Sequence, residues 1–101
     1  MKGRILICDD DPIIRLDIKQ ILEQSDYEVA AEASDGFEAI ELCQKHFFDL
    51  VIMDIKLPLL DGLSAGKKIL DDGLAHGVII LSAFNDEHYV QKASLTGASA
   101  Y

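Results

Sequence analysis

A chain of 101 residues, half of them apolar, is long enough for one globular domain with a modest core and too apolar to be disordered. Its net charge of −9 excludes nucleic-acid binding through this segment and docking on anionic membranes as leading readings, because both need clustered Lys and Arg. Cys8 and Cys43 have no C-x-x-C spacing and read as small core residues in a reducing compartment. The four apolar residues after the basic start are too few for a secretory or membrane segment, so a cytoplasmic location is expected.

The first strand is expected over 4–8, where the apolar run Ile5-Leu6-Ile7-Cys8 ends in Asp9-Asp10-Asp11. Asp11-Pro12 suits a helix start, since Asp accepts from orphan amides and Pro fits the first helical position. Ile14, Ile18, Ile21 and Leu22 then form one apolar stripe on that helix. A second strand is expected over 27–32. The second helix is entered through Ser34-Asp35-Gly36, with Ile40, Cys43 and Phe47 as its stripe. The third strand, 49–53, ends in Asp54 and leads through Ile55-Lys56-Leu57-Pro58 to Asp61-Gly62. Leu63, Gly66 and Leu70 mark a third helix that stops at Asp71-Asp72-Gly73. A fourth strand covers 77–81 and runs into Ser82-Ala83. A fourth helix follows from Asp86 to Thr96, stopped by Gly97, and a fifth strand opens near Ala98.

The strand runs 5–8, 50–53 and 78–81 are continuously apolar, which is how strands read when both faces of a parallel sheet are covered by helices. Alternation of strand and helix with short connections therefore implies a single α/β domain over 1–101 with a doubly wound parallel sheet, taken here with the flavodoxin-like strand order 2-1-3-4-5. In such sheets ligands bind beyond the carboxyl ends of the strands where the order reverses, here between strands one and three. That geometry brings Asp9, Asp10 and Asp54 together. Crowded like charges are costly without a cation, so the arrangement implies a metal and an anionic reaction partner.

Ile5 to Asp10, Asp35-Gly36, Val51 to Pro58, Asp61-Gly62, Leu81-Ser82-Ala83 and Gly97 to Tyr101 fall in the order and spacing of a known family. The chain resembles the receiver domain of two-component response regulators from Lys2 to Tyr101. The resemblance implies that Asp54 accepts a phosphoryl group from a phosphohistidine on a sensor histidine kinase. It implies Mg²⁺ as cofactor, held by Asp9, Asp10, Asp54 and the backbone carbonyl of Lys56. It further implies that Ser82 bonds the new phosphoryl oxygens while Tyr101 turns toward the space that Ser82 leaves. The strand four and five surface would then change and control an output domain or partner protein. The domain would assist its own phosphorylation and dephosphorylation without being an enzyme on other substrates. Lys56 and Phe84 would tune the lifetime of the phosphoryl group.

Taken singly, these residues have plainer readings. Asp11 is a helix cap and stays outside the site. Ser82 alone suits a helix cap, Tyr101 alone a core aromatic, and His46, His76 and His88 share no spacing with one another or with a carboxylate. Lys67-Lys68 is too short for a nucleic-acid patch. The alternative reading is a haloacid-dehalogenase-like phosphatase with Asp9 as nucleophile, from Asp9-x-Asp11 after a strand; Pro12 breaks that pattern, and such enzymes need a further Lys. A flavodoxin-like nucleotide binder would need a Gly-rich loop after strand one.

Family receivers continue past the aromatic to a Lys-Pro pair and a fifth helix. On that pattern the chain is expected to be truncated in strand five and to lack the last helix. Part of the first helix would lie uncovered, favouring a homodimer or segment-exchanged oligomer. The stretches Cys8 to Arg15 and Leu59 to Ala65 resemble regulators that carry an RNA-binding antiterminator domain of the ANTAR type, which implies transcription regulation as the output.

Overall fold

The computed structural model describes residues 3–81. The elements run β1 (Arg4–Cys8), α1 (Pro12–Gln24), β2 (Glu28–Ala33), α2 (Gly36–Lys45), β3 (Phe48–Asp54), α3 (Gly62–Asp71) and β4 (Ala75–Leu81). The expected fourth helix and fifth strand, with Ser82, Phe84, His88 and Tyr101, lie outside the described residues.

The strands form one sheet in the order β2-β1-β3-β4, with every pair parallel. Because side chains alternate across a strand, each apolar run feeds both faces. Leu6 and Cys8, Val51 and Met53, and Val78 and Ile80 join the core packed with α2 and α3 residues such as Ala39, Cys43, Ala65 and Ile69. Ile5, Ile7 and Ile52 point the other way and meet Ile18 and Leu22 of α1. Helices on both faces with this strand order make the fold flavodoxin-like and doubly wound, as expected. Both cysteines are buried and free, so they are core residues.

All three helices among the described residues begin on an aspartate. Asp11 accepts from the Ile13 amide, Asp35 from Glu38 and Asp61 from Ser64, each at 2.8–2.9 Å. These caps satisfy amides that the first helical turn leaves without partners. Glu38 also reaches back to the Ser34 amide at 2.7 Å, which tightens the entry to α2. The third helix stops at Gly73, whose φ of 65° is costly for a residue with a Cβ.

The helical stripes can be followed residue by residue. On α1, Ile18 and Leu22 pack on the sheet, whereas Ile14 is 39% and Ile21 64% exposed. These two lie uncovered, as expected for part of the first helix. Phe47 is not on α2 at all: the helix ends at Lys45 and His46 is already extended, so the aromatic leaves the helical register. Phe48 takes the buried place instead, and the Phe47 ring meets His76 edge to face at 4.9 Å. His76 also stands 3.8 Å from Asp49, a proximity that no sequence spacing announced.

Candidate functional site: three carboxylates at the carboxyl edge of the sheet

The register decides which acids can meet. Cys8 pairs with Met53 across β1 and β3, so the next residues, Asp9 just past β1 and Asp54 at the end of β3, stand side by side at the carboxyl edge of the sheet. Carboxylate oxygens of Asp9, Asp10 and Asp54 lie within 4.8 Å of one another. The sheet thus joins Asp54 to two acids that lie more than forty residues upstream in the chain.

Their surroundings differ. Asp9 is 3% exposed; its amide donates to the Ala33 carbonyl at 3.1 Å, and its Oδ1 accepts from the Asp11 amide at 2.9 Å. Asp10 is exposed and Asp54 is half-buried, with Oδ1 accepting a long bond from the Lys56 amide at 3.3 Å. Asp11 turns away to cap α1, as expected. Lys56 is exposed, and its backbone folds back over the Asp54 carboxylate.

Burial raises both the Asp9 and Asp54 pKa values above the ordinary carboxylate value of 3.8, and the neighbouring acids push the same way. For each acid the first cause is desolvation, opposed by backbone hydrogen bonds from Asp11 to Asp9 and from Lys56 to Asp54. The pH dependence follows directly. A carboxyl with a raised folded pKa holds its proton when the unfolded chain has released its own, so its contribution to stability falls as pH rises. The metal-free chain is therefore expected to lose stability, relative to its Asp54→Asn variant, as pH rises from about 4 through the raised values. Paired urea titrations across that range check this, and a difference that does not change with pH would contradict it.

Hard oxygen donors clustered beyond a strand edge, and carboxyls held above their ordinary pKa by crowding and burial, fit Mg²⁺. Among the described residues no other group of three or more potential ligands is this close.

Two glycines and one arginine shape the site without having been assigned a role from sequence. A Cβ on Gly62 would run into the backbone carbonyl oxygen of Asp54, and one on Gly36 into that of Leu60. The start of α3 is thus seated directly on the strand end that presents Asp54, with the Gly62 amide donating to Ile55 at 2.9 Å. A Gly just after an Asp cap was the available signal for Gly62. Arg15 donates to the Asp9 carbonyl at 2.6 Å, and nothing in the sequence separates it from other helix-surface charges. Between these elements the chain makes a tight turn at Leu59, whose φ is 69°, with the Leu60 amide bonded to Pro58 at 2.8 Å. Ser82 and Tyr101, expected at this edge, lie outside the described residues.

A parallel doubly wound sheet with an acid trio at the switch point defines a class of phosphoryl-handling signalling domains. The family model of the response regulator receiver domain matches residues 5–101, and the chain belongs to that family. It is a signalling domain of two-component systems, whose members switch by phosphorylation. The chain is 42% identical over 98 residues to the transcriptional regulatory protein PdtaR of Mycobacterium tuberculosis, covering 97% of this chain and 47% of that protein. It thus spans about half the length of that relative. The signal receiver domain of the response regulator NarL from M. tuberculosis superposes with a TM-score of 0.91 at 29% identity, covering 98% of this chain and 81% of that one. A CheX–CheY–BeF₃–Mg²⁺ complex from Borrelia burgdorferi contains a chain of TM-score 0.86 and 29% identity, covering 95% of this chain and 73% of its counterpart. Family membership displaces the phosphatase reading of Asp9. No helix among the described residues is long and apolar enough to cross a membrane.

Proposed function

We propose that Asp54 is the phosphoacceptor, that Asp9, Asp10, Asp54 and the Lys56 carbonyl hold Mg²⁺, and that a sensor histidine kinase is the donor. The observation that carries this reading is the convergence of three carboxylates at the ends of β1 and β3. The CheY complex from B. burgdorferi, with Mg²⁺ and a fluoroberyllate, supports the cofactor by similarity.

Asp54 suits the acceptor role better than Asp9 because of access. Asp9 is enclosed, with one of its oxygens bonded to the Asp11 amide, whereas Asp54 is half-buried, its carboxylate met by the backbone amides of Lys56 and Ile55. In the transfer an Asp54 carboxylate oxygen attacks the phosphorus of the phosphohistidine. The P–N bond breaks with its electron pair going to the imidazole, which takes up a proton as it leaves. Bound Mg²⁺ supplies charge neutralisation for the phosphoryl oxygens and the acids around them. Asp9 and Asp10 fix the anionic surroundings, the Lys56 amide orients Asp54, and Gly62 sets the strand end on which it rides. Reversal by water makes the domain assist its own dephosphorylation. Ser82 and Tyr101 complete the reading as the residues that carry the change to the strand four and five surface.

The output is transcription regulation, by analogy with PdtaR, and the resemblance of 8–15 and 59–65 to ANTAR-type regulators supports antitermination through RNA. Self-association through the exposed Ile13, Leu16 and Ile21 of α1 belongs to the same reading, and light scattering that finds a folded monomer removes it.

Incubation with Mg²⁺ and acetyl phosphate, followed by intact mass measurement, tests the core of the proposal. A Mg²⁺-dependent, alkali-labile adduct that disappears in Asp54→Asn supports it. An adduct that survives in Asp54→Asn and is lost in Asp9→Asn overturns it.

A further inference from the structure

We propose that Arg15 is a positioning residue for the metal end of the site, holding Asp9 in place through its backbone while Glu32 anchors the guanidinium. The inference rests on the reading of Asp9 as a metal ligand. Arg15 Nη1 donates to the Asp9 carbonyl at 2.6 Å, and Nε donates to Glu32 Oε1 at 3.1 Å. One planar fork thus ties the first turns of α1 to the end of β2, across the residue that leaves β1. The Arg15 side chain is only 19% exposed, so this contact is shielded from competing water.

With Arg15 in place, Asp9 is held at three points. Its amide is bonded to Ala33, its carbonyl to Arg15 and its Oδ1 to the Asp11 amide. Both backbone groups of Asp9 are thus fixed, which leaves its carboxylate little room to swing away from Asp10 and Asp54. The partner Glu32 balances the guanidinium, so Arg15 supplies direction rather than net positive charge. Residues behind a ligand commonly govern metal affinity in this way.

The sign of the effect separates positioning from charge. Removing a cation beside three carboxylates should tighten Mg²⁺ binding if Coulomb attraction alone matters, whereas loss of positioning should weaken it. A Lys keeps the charge but cannot span the Asp9 carbonyl and Glu32 together. Arg4 offers an internal comparison at the opposite edge of the sheet, with the same kind of fork to Glu28 Oε2 and to the Phe47 carbonyl.

Calorimetric titration of the full chain with Mg²⁺ at 25 °C, beside thermal melts, tests this. Arg15→Ala is expected to weaken Mg²⁺ binding by roughly tenfold, the lower end of such effects. Arg15→Lys should show most of that loss, Glu32→Gln a smaller one, and Arg4→Ala none even where its melting point falls. Affinity in Arg15→Ala equal to or tighter than the parent overturns the inference. If Arg15→Ala does not fold, parental affinity in both Arg15→Lys and Glu32→Gln overturns it. A parent that binds Mg²⁺ indistinguishably from Asp9→Asn removes the metal reading, and the inference with it.

Discussion

Asp54→Asn is expected to take up no phosphoryl group from acetyl phosphate under any Mg²⁺ concentration, and yet to be more stable than the parent when metal is absent. Both effects have one origin. The carboxylate is placed beside Asp9 and Asp10 and is partly desolvated, so its charged form is costly, as its raised pKa records. The amide keeps the shape of the side chain and loses both the charge and the nucleophilic oxygen. Stability at neutral pH should therefore rise, and Mg²⁺, which stabilises the parent by binding the folded form, should have less effect on the variant. Urea denaturation with and without Mg²⁺, beside intact mass, measures the two together. A variant that is less stable than the parent without metal would show that the Asp54 carboxylate is held by favourable contacts rather than tolerated.

Gly62→Ala should be nearly as damaging although it changes none of the acids. The added Cβ would collide with the Asp54 carbonyl oxygen, and the nearest atoms beyond it are also backbone, at the Asp54 carbonyl carbon (2.8 Å) and the Ile55 Cα (3.1 Å). Backbone cannot rotate aside, so either α3 withdraws or the end of β3 shifts. Overpacking of this kind costs about 1–3 kcal/mol, and a displacement of the acceptor by about 1 Å can slow a positioned reaction on the order of a hundredfold. Gly66→Ala is the control. There the Cβ would meet Val78 Cγ1 at 3.2 Å, Ile80 Cδ1 at 3.3 Å and Met53 Sδ at 3.5 Å, side-chain atoms rather than backbone. Gly66→Ala should lose less stability and keep its rate of adduct formation. Equal rates in Gly62→Ala and the parent would mean that the seat of α3 on β3 does not position Asp54.

These two variants separate the parts of the site. On the proposed reading Asp54 carries the chemistry and Gly62 fixes where the strand end stands, and to these the further proposal adds Arg15 as the residue that fixes Asp9. Only the first belongs to a residue type that announces reactivity. The other two act through backbone carbonyls, which side-chain identity does not reveal.

Much of the fold was legible because its determinants are local. Continuous apolar runs are written in adjacent residues, and so are Asp caps before helices and a Gly stop after α3. They predict the strands and helices through 81 to within two residues at the strand ends, and the parallel, two-faced burial with them. Phe47 was misplaced because hydrophobic spacing says that a residue is apolar, not where a helix gives way to a strand.

In the run Asp9-Asp10-Asp11 the sequence by itself determined that carboxylates follow β1, and with Asp54 after β3 it determined the kind of chemistry that the sheet edge can host. Tertiary structure alone decided their division of labour. Strand register set Asp9 beside Asp54, and enclosure by Arg15, Ala33 and the Asp11 amide left Asp54 the more accessible of the two strand-end acids. The physical reason is that charge and reactivity belong to residue types, whereas burial, register and distance arise only when segments more than forty residues apart are packed against one another.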